Sequence, residues 1–204
     1  MTASAGRFIV VEGGEGVGKS TQVPRLAASL RASGREVVVT HEPGDTKLGA
    51  ELRAVLLHAD TDLDPRAELL LMIADRAQHL ADVVTPALAR GAIVVCDRYE
   101  PSTLAYQGVA RGLGVERVER LSEFATAGVE PDVVVVLDLA DEIAEARVSA
   151  DRDRFERAGA DFHARVRAAY RELAPARGWI LVDADGTPDE VAARVLAAVS
   201  VVVP

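Results

Sequence analysis

The chain contains no asparagine and a single cysteine, and only 4% of its 204 residues are aromatic. Cys96 therefore has no partner for an internal disulfide, and its place in the apolar run Ala92 to Cys96 predicts a buried, inert thiol. With so few rings and 49% of residues apolar, Ala, Val and Leu must build an aliphatic core. No run approaches the roughly 18 apolar residues that a membrane-spanning helix needs, and the amino terminus lacks the pattern of a secretory signal. A cytoplasmic protein with no membrane partner is the expectation. Cations are in deficit, 23 Lys and Arg against 32 Asp and Glu, for a net charge of −9. That balance excludes the broad basic face of a nucleic-acid-coating protein. Any basic site has to be local, as in the cluster Arg147, Arg152, Arg154 and Arg157, which is interleaved with Asp151, Asp153 and Glu156. His58, His79 and His163 have no Cys or His at metal-ligand spacing, so zinc is not expected.

What is present is a repeated alternation of short apolar runs, turns and helical patterns. The runs Phe8–Glu12, Glu36–Thr40, Ala92–Cys96, Val133–Leu137 and Trp179–Val182 predict strands. Val133 to Leu137 has the continuous β-branched character of a strand covered on both faces. Helices are predicted at about 19–33, 49–57, 66–89, 115–127, 141–149, 160–173 and 188–199, with Pro24 expected to kink the first. The pattern predicts one doubly wound α/β domain over 1–204 with a parallel sheet, whose chemistry gathers on the loops after the strands.

Gly13-Gly14-Glu15-Gly16-Val17-Gly18-Lys19-Ser20 has the spacing of a phosphate-binding loop between a strand and a helix. Its glycines let backbone N–H groups turn toward phosphate oxygens at a helix amino terminus. A bound nucleotide, ATP or GTP, is expected, with Lys19 on the β- and γ-phosphates and the Ser20 hydroxyl on Mg²⁺. Thr21, which follows, is expected to support packing at the edge of the same nucleotide site. Such a loop serves kinases, switch GTPases and regulatory ATPases alike. The lack of asparagine removes the Asn-Lys-x-Asp guanine reader of a switch GTPase. After the third strand, Asp97-Arg98-Tyr99 places a carboxylate that can hold Mg²⁺ through water beside an arginine that can clamp a phosphate.

Several segments in order resemble the bacterial thymidylate kinase family, a P-loop nucleoside-monophosphate-kinase fold with a short mobile lid. They are Phe8 to Thr21; Glu42-Pro43-Gly44 with Thr46; Ala74-Asp75-Arg76-Ala77-Gln78-His79; Asp97-Arg98-Tyr99 with Ser102, Ala105-Tyr106-Gln107-Gly108; and Asp153-Arg154-Phe155-Glu156. The resemblance implies transfer of the ATP γ-phosphoryl group to dTMP with Mg²⁺, on the route to dTTP, by a homodimer. It implies an acceptor region at about 41–110 and a lid at about 147–157. Arg98 would bind the acceptor phosphate, and Arg76 would contact thymine and the phosphate surroundings. Glu15 would lie near the acceptor 3′-hydroxyl and the metal, Tyr106 would crowd the 2′ position, and Ser102, Thr103 and Gln107 would line the acceptor site. In the bacterial form of the family, whose loop likewise has no arginine before its lysine, the lid provides the catalytic cation; the resemblance thus implies Arg147, Arg152 or Arg154 in that role, with Arg152 preferred. Met72 stands where the family usually has a phenylalanine stacked on thymine, and it offers soft contacts instead of a flat ring. Alternatives are a kinase for another deoxynucleotide or nucleoside and, from a different class, a nucleotide-dependent regulatory ATPase.

Overall fold

In a computed structural model, residues 6–58, 62–147 and 154–203 are described. Strands β1 (Arg7–Glu12), β2 (Val37–His41), β3 (Ile93–Asp97), β4 (Val133–Asp138) and β5 (Ile180–Asp183) form a wholly parallel sheet in the order β2-β3-β1-β4-β5. β2, β3, β4 and β5 each end one residue later than the apolar runs predict, because each strand carries a polar residue to the carboxyl edge: His41, Asp97, Asp138 and Asp183. At that edge Val11 pairs with Asp97 and Asp97 with His41, which aligns the ends of three strands.

Alternate residues of the central strands feed two cores. Ile9, Val11, Val95, Val135 and Leu137 pack with Val23, Leu26 and Leu30 of α1 (Lys19–Ala32) and with Val191 and Val195 of α9 (Pro188–Val199). Phe8, Val10, Val94, Cys96 and Val136 pack on the other face with Phe162, Val166 and Tyr170 of α8 (Ala160–Arg177). Burying both faces explains why the strands read as unbroken apolar runs. Helix α1 runs from Lys19 to Ala32 with Pro24 inside it.

The remaining elements are α2 (Lys47–His58), α3 (Pro65–His79), α4 (Thr85–Ala89), α5 (Glu100–Thr103), α6 (Val115–Thr126) and α7 (Asp141–Arg147). The single helix predicted at 66–89 is instead α3, a π-helical turn at Leu80–Val84, and α4. Pro86 cannot donate the backbone bond that an α-helix requires, and the wider turn absorbs the mismatch. A second π-helical segment, Leu104–Ala110, continues α5 where no helix was predicted.

Candidate active site

Beyond β1 the chain bends through Gly13, Gly16 and Gly18, with φ of 134°, 75° and 99°. The loop is confined from outside as well. A Cβ on Gly13 would lie 2.5 Å from the Leu137 carbonyl oxygen, and one on Gly16 would lie 2.1 Å from that of Ala144 in α7. Lys19 Nζ donates to Gly13 O at 3.0 Å and Gly14 O at 2.8 Å, which folds its ammonium over the loop. Burial, then the neighbouring Arg98, pull the Lys19 pKa down against the opposing pull of Glu15 and Asp97. Thr21 is exposed and faces the same cavity, so it does not provide the packing expected of it.

Just beyond β3, Arg98 has the left-handed φ of 71° and its N–H donates to Val11 O at 3.0 Å. Its guanidinium donates to Gly13 O, to Ser102 Oγ at 3.0 Å and to Glu15 Oε1 at 2.6 Å, and lies over the Tyr106 ring. Tyr106 also donates to Glu15 Oε1 at 2.8 Å. Burial alone would raise the Glu15 pKa, but Arg98, Lys19 and the Tyr106 hydroxyl hold it down at about 2. Burial pushes the Tyr106 hydroxyl well above its ordinary range, so it stays a donor.

Arg76 of α3 is buried with Nε on Glu42 Oε2 at 2.9 Å and Nη2 on Thr103 Oγ1 at 2.8 Å, and it covers the Tyr99 ring. Glu42 is itself fixed from behind by His79 Nδ1 at 2.8 Å. Met72, Arg76, Thr103, Tyr106 and Gln107 line a cavity of about 760 Å³ together with Lys19, Ser20 and Thr21. Ala184, Gly186, Pro188 and Val191, from the turn after β5 and the start of α9, line the same cavity.

One cavity thus contains a phosphate loop and a second cationic wall. The thymidylate kinase family profile matches residues 11–195. The chain belongs to the thymidylate kinase family. Thymidylate kinase from Leifsonia xyli is 50% identical over 199 residues, covering 95% of this chain and 94% of the relative. That from Solidesulfovibrio magneticus is 50% identical over 201 residues, covering 92% and 96%. The crystal structure of thymidylate kinase from Ehrlichia chaffeensis superposes with a TM-score of 0.80 at 29% identity, covering 95% of this chain and 98% of that one.

The structure brings together Glu15, Lys19, Ser20, Met72, Arg76, Asp97, Arg98, Ser102, Thr103, Tyr106 and Gln107 on one cavity. Of the arginines considered for the lid, Arg147 lines the cavity, whereas Arg154 is held elsewhere, by Leu56 O at 2.6 Å and Glu68 Oε2 at 2.7 Å. Arg154 is thereby removed as a candidate catalytic cation. Arg152 and most of the predicted lid, 148–153, lie outside the described residues. Asp138, at the end of β4, accepts from Arg171 Nε at 2.9 Å. Cys96 is buried as predicted; burial raises its pKa well above the usual thiol range and its Sγ donates to Arg98 O.

Sequence reasoning gave no role to Glu12, yet it is the hub behind Arg98. It accepts from Tyr99 N at 2.8 Å, Ser102 Oγ at 2.6 Å and Tyr170 OH at 2.7 Å. Burial raises its pKa, opposed by Arg98 and these donors. A carboxylate closing an otherwise apolar strand was the available signal. Arg167 gave none: it is buried against Gly14 and pairs with Asp141 and Glu145 of α7.

For Mg²⁺, Asp97 Oδ1 is buried with no hydrogen-bond partner among the described residues, and the Ser20 hydroxyl lines the same cavity. One free carboxylate oxygen and one hydroxyl fit a cation that takes its other ligands from phosphates and water.

Proposed function

We propose that the protein transfers the γ-phosphoryl group of ATP to dTMP, yielding ADP and dTDP for dTTP synthesis. The observation that carries this is the pairing, in a single cavity, of the Lys19 loop with a second cationic wall made by Arg98 and Arg76. A regulatory ATPase has no use for that second wall. Phosphoryl transfer asks for two anionic substrates held in line with their charge spread over cations, and for little covalent participation.

Gly13 to Thr21 cradle the ATP phosphates. Lys19 exchanges its two loop carbonyls for phosphate oxygens, and the turn after β5 borders the adenine. Arg98 takes the acceptor phosphate, with Ser102 beside it. Glu15, held as a carboxylate near pH 7 by its low pKa of about 2, receives the acceptor 3′-hydroxyl, while Tyr106 fills the space that a 2′-hydroxyl would need. Arg76, Thr103, Gln107 and Met72 surround the base. Ser20 and Asp97, with Glu15 nearby, would hold Mg²⁺, which supplies charge neutralisation between the phosphates. Arg147 and Arg152 are the remaining candidates for the catalytic lid cation. The whole chain acts as one kinase domain with its acceptor region at 41–110 and lid at 147–157, in the cytoplasm and as a homodimer.

The test is ADP production with ATP and Mg²⁺ when dTMP, dUMP, UMP, dCMP, dGMP, AMP and thymidine are offered separately. Stimulation by dTMP above the others is expected. Turnover without any acceptor would sink the assignment, and preference for another acceptor would keep the kinase and discard the substrate.

A further inference from the structure

Glu68 of α3 is not among the residues that line the cavity, yet it is fully buried and binds three side chains, Gln107 and Arg111 from one helical stretch and Arg154 from a distant part of the chain. Its Oε1 accepts from Gln107 Nε2 at 2.7 Å and from Arg111 Nε at 3.3 Å. Its Oε2 accepts from Arg154 Nη1 at 2.7 Å and Arg111 Nη2 at 3.2 Å. Between two guanidinium groups this carboxylate accepts hydrogen bonds and has none to give. The Gln107 amide can therefore meet it only through nitrogen. Its carbonyl oxygen is thereby turned away from Glu68. Gln107 belongs to the cavity wall with Met72, Arg76 and Thr103. Arg76 in this wall is locked in the same way: Glu42 fixes one edge of its guanidinium.

We propose that Glu68 is a positioning residue that sets base selectivity. By retaining the amide nitrogen it obliges Gln107 to offer an acceptor to the base. That suits a pyrimidine whose ring nitrogen carries a proton, as in thymine and uracil. It opposes cytosine, whose bare ring nitrogen is itself an acceptor. The inference rests on the reading of Gln107 as a base contact made above. An acceptor facing an acceptor in a buried site leaves both unpaired, a penalty on the order of tenfold or more in kcat/KM.

Glu68→Gln tests this, because an amide at 68 can donate to the Gln107 oxygen and so permits the turned rotamer. The dTMP KM is expected to rise and the ratio of kcat/KM for dTMP over dCMP to fall about tenfold, with the ATP KM within about twofold of its original value. Loss of kcat with an unchanged ratio would overturn the proposal, since a purely structural role predicts it. Gln107→Leu separates the two layers. If it leaves the ratio and the dTMP KM unchanged, the base contact itself is wrong; if it changes the ratio while Glu68→Gln does not, only the role of Glu68 falls. Should Glu68→Gln fail to fold, the wild-type protein answers through ¹⁵N-glutamine labelling, as the chain has only three glutamines, Gln22, Gln78 and Gln107. With dTMP bound, a Gln107 Nε2 proton protected from solvent exchange supports the proposal, and exchange of both protons at the free-amide rate overturns it.

Discussion

At Arg98 the backbone occupies a left-handed conformation that costs a non-glycine residue roughly 1–2 kcal/mol. The N–H bond to Val11 O and the Cys96 thiol on its carbonyl oxygen hold it there. The return is a guanidinium aimed across the loop at Gly13, Glu15 and Ser102. Arg98→Ala should raise the dTMP KM by about tenfold or more, or abolish turnover, while ATP affinity measured by calorimetry changes little. An equal loss of ATP affinity would contradict its assignment to the acceptor. Asp75 offers a test by pH. Burial and the nearby Glu42 raise its pKa to about 6 from an ordinary 3.8. An acid that binds its proton more tightly when folded contributes stability that is full below about pH 4 and is lost as pH rises through 6. The Tm difference between the wild-type protein and Asp75→Asn should therefore shift against the wild type between pH 4 and 7, and a pH-independent difference would refute the shift. Lys19 was legible in the spacing of its loop and Arg98 in its place beside a strand-end carboxylate, whereas Arg76 was marked only by the family resemblance. Glu12, Glu42 and Glu68 were not legible, because a buried carboxylate looks in sequence like any surface acid until its donors, from residues up to 158 positions away, are brought to it.

Among the elements, the phosphate loop and α7 are fitted together through absent side chains. A Cβ at Gly16 would meet the backbone carbonyl of Ala144, which cannot move without displacing α7, and φ there is 75°. A Cβ at Gly14 would meet only the Arg167 side chain at 3.0 Å, which can shift. Gly16→Ala should thus lower stability by about 2 kcal/mol or more and abolish ATP binding, whereas Gly14→Ala should cost about 1 kcal/mol or less in a denaturant melt. Comparable losses in both would mean that the loop and not its contact with α7 sets the tolerance. The strands were readable because two-sided burial writes itself as runs of Val and Ile. The π-helical segments were not, since a wider helical turn leaves neither a period of 3.6 nor one of 2 for the pattern to reveal.

For the molecule as a whole, a parallel sheet with helices on both faces was foreseen from the sequence, while the strand order β2-β3-β1-β4-β5 was not. Surfaces were harder to foresee, because a large apolar residue on a helix reads as core. Phe124 of α6 is 88% exposed and Leu70 of α3 is 56% exposed, on two helices that pack against each other. A homodimer that covers them would account for both. Phe124→Asp and Leu70→Glu should each shift the sedimentation coefficient toward that of a monomer, and a wild-type monomer at micromolar concentration would end the dimer assignment. The π-helical segment Leu104–Ala110 carries Tyr106 and Gln107 and directly follows Ser102 and Thr103. Its i to i+5 bonding holds one residue more than an α-helix would need for the same turn. Deleting a single residue ahead of Tyr106 would let the segment rewind and swing both side chains around the axis by roughly 100°. Recognition of the acceptor is therefore written in the count of residues as much as in their kind, and an insertion or deletion there would be felt as a change of substrate before it was felt as a change of fold.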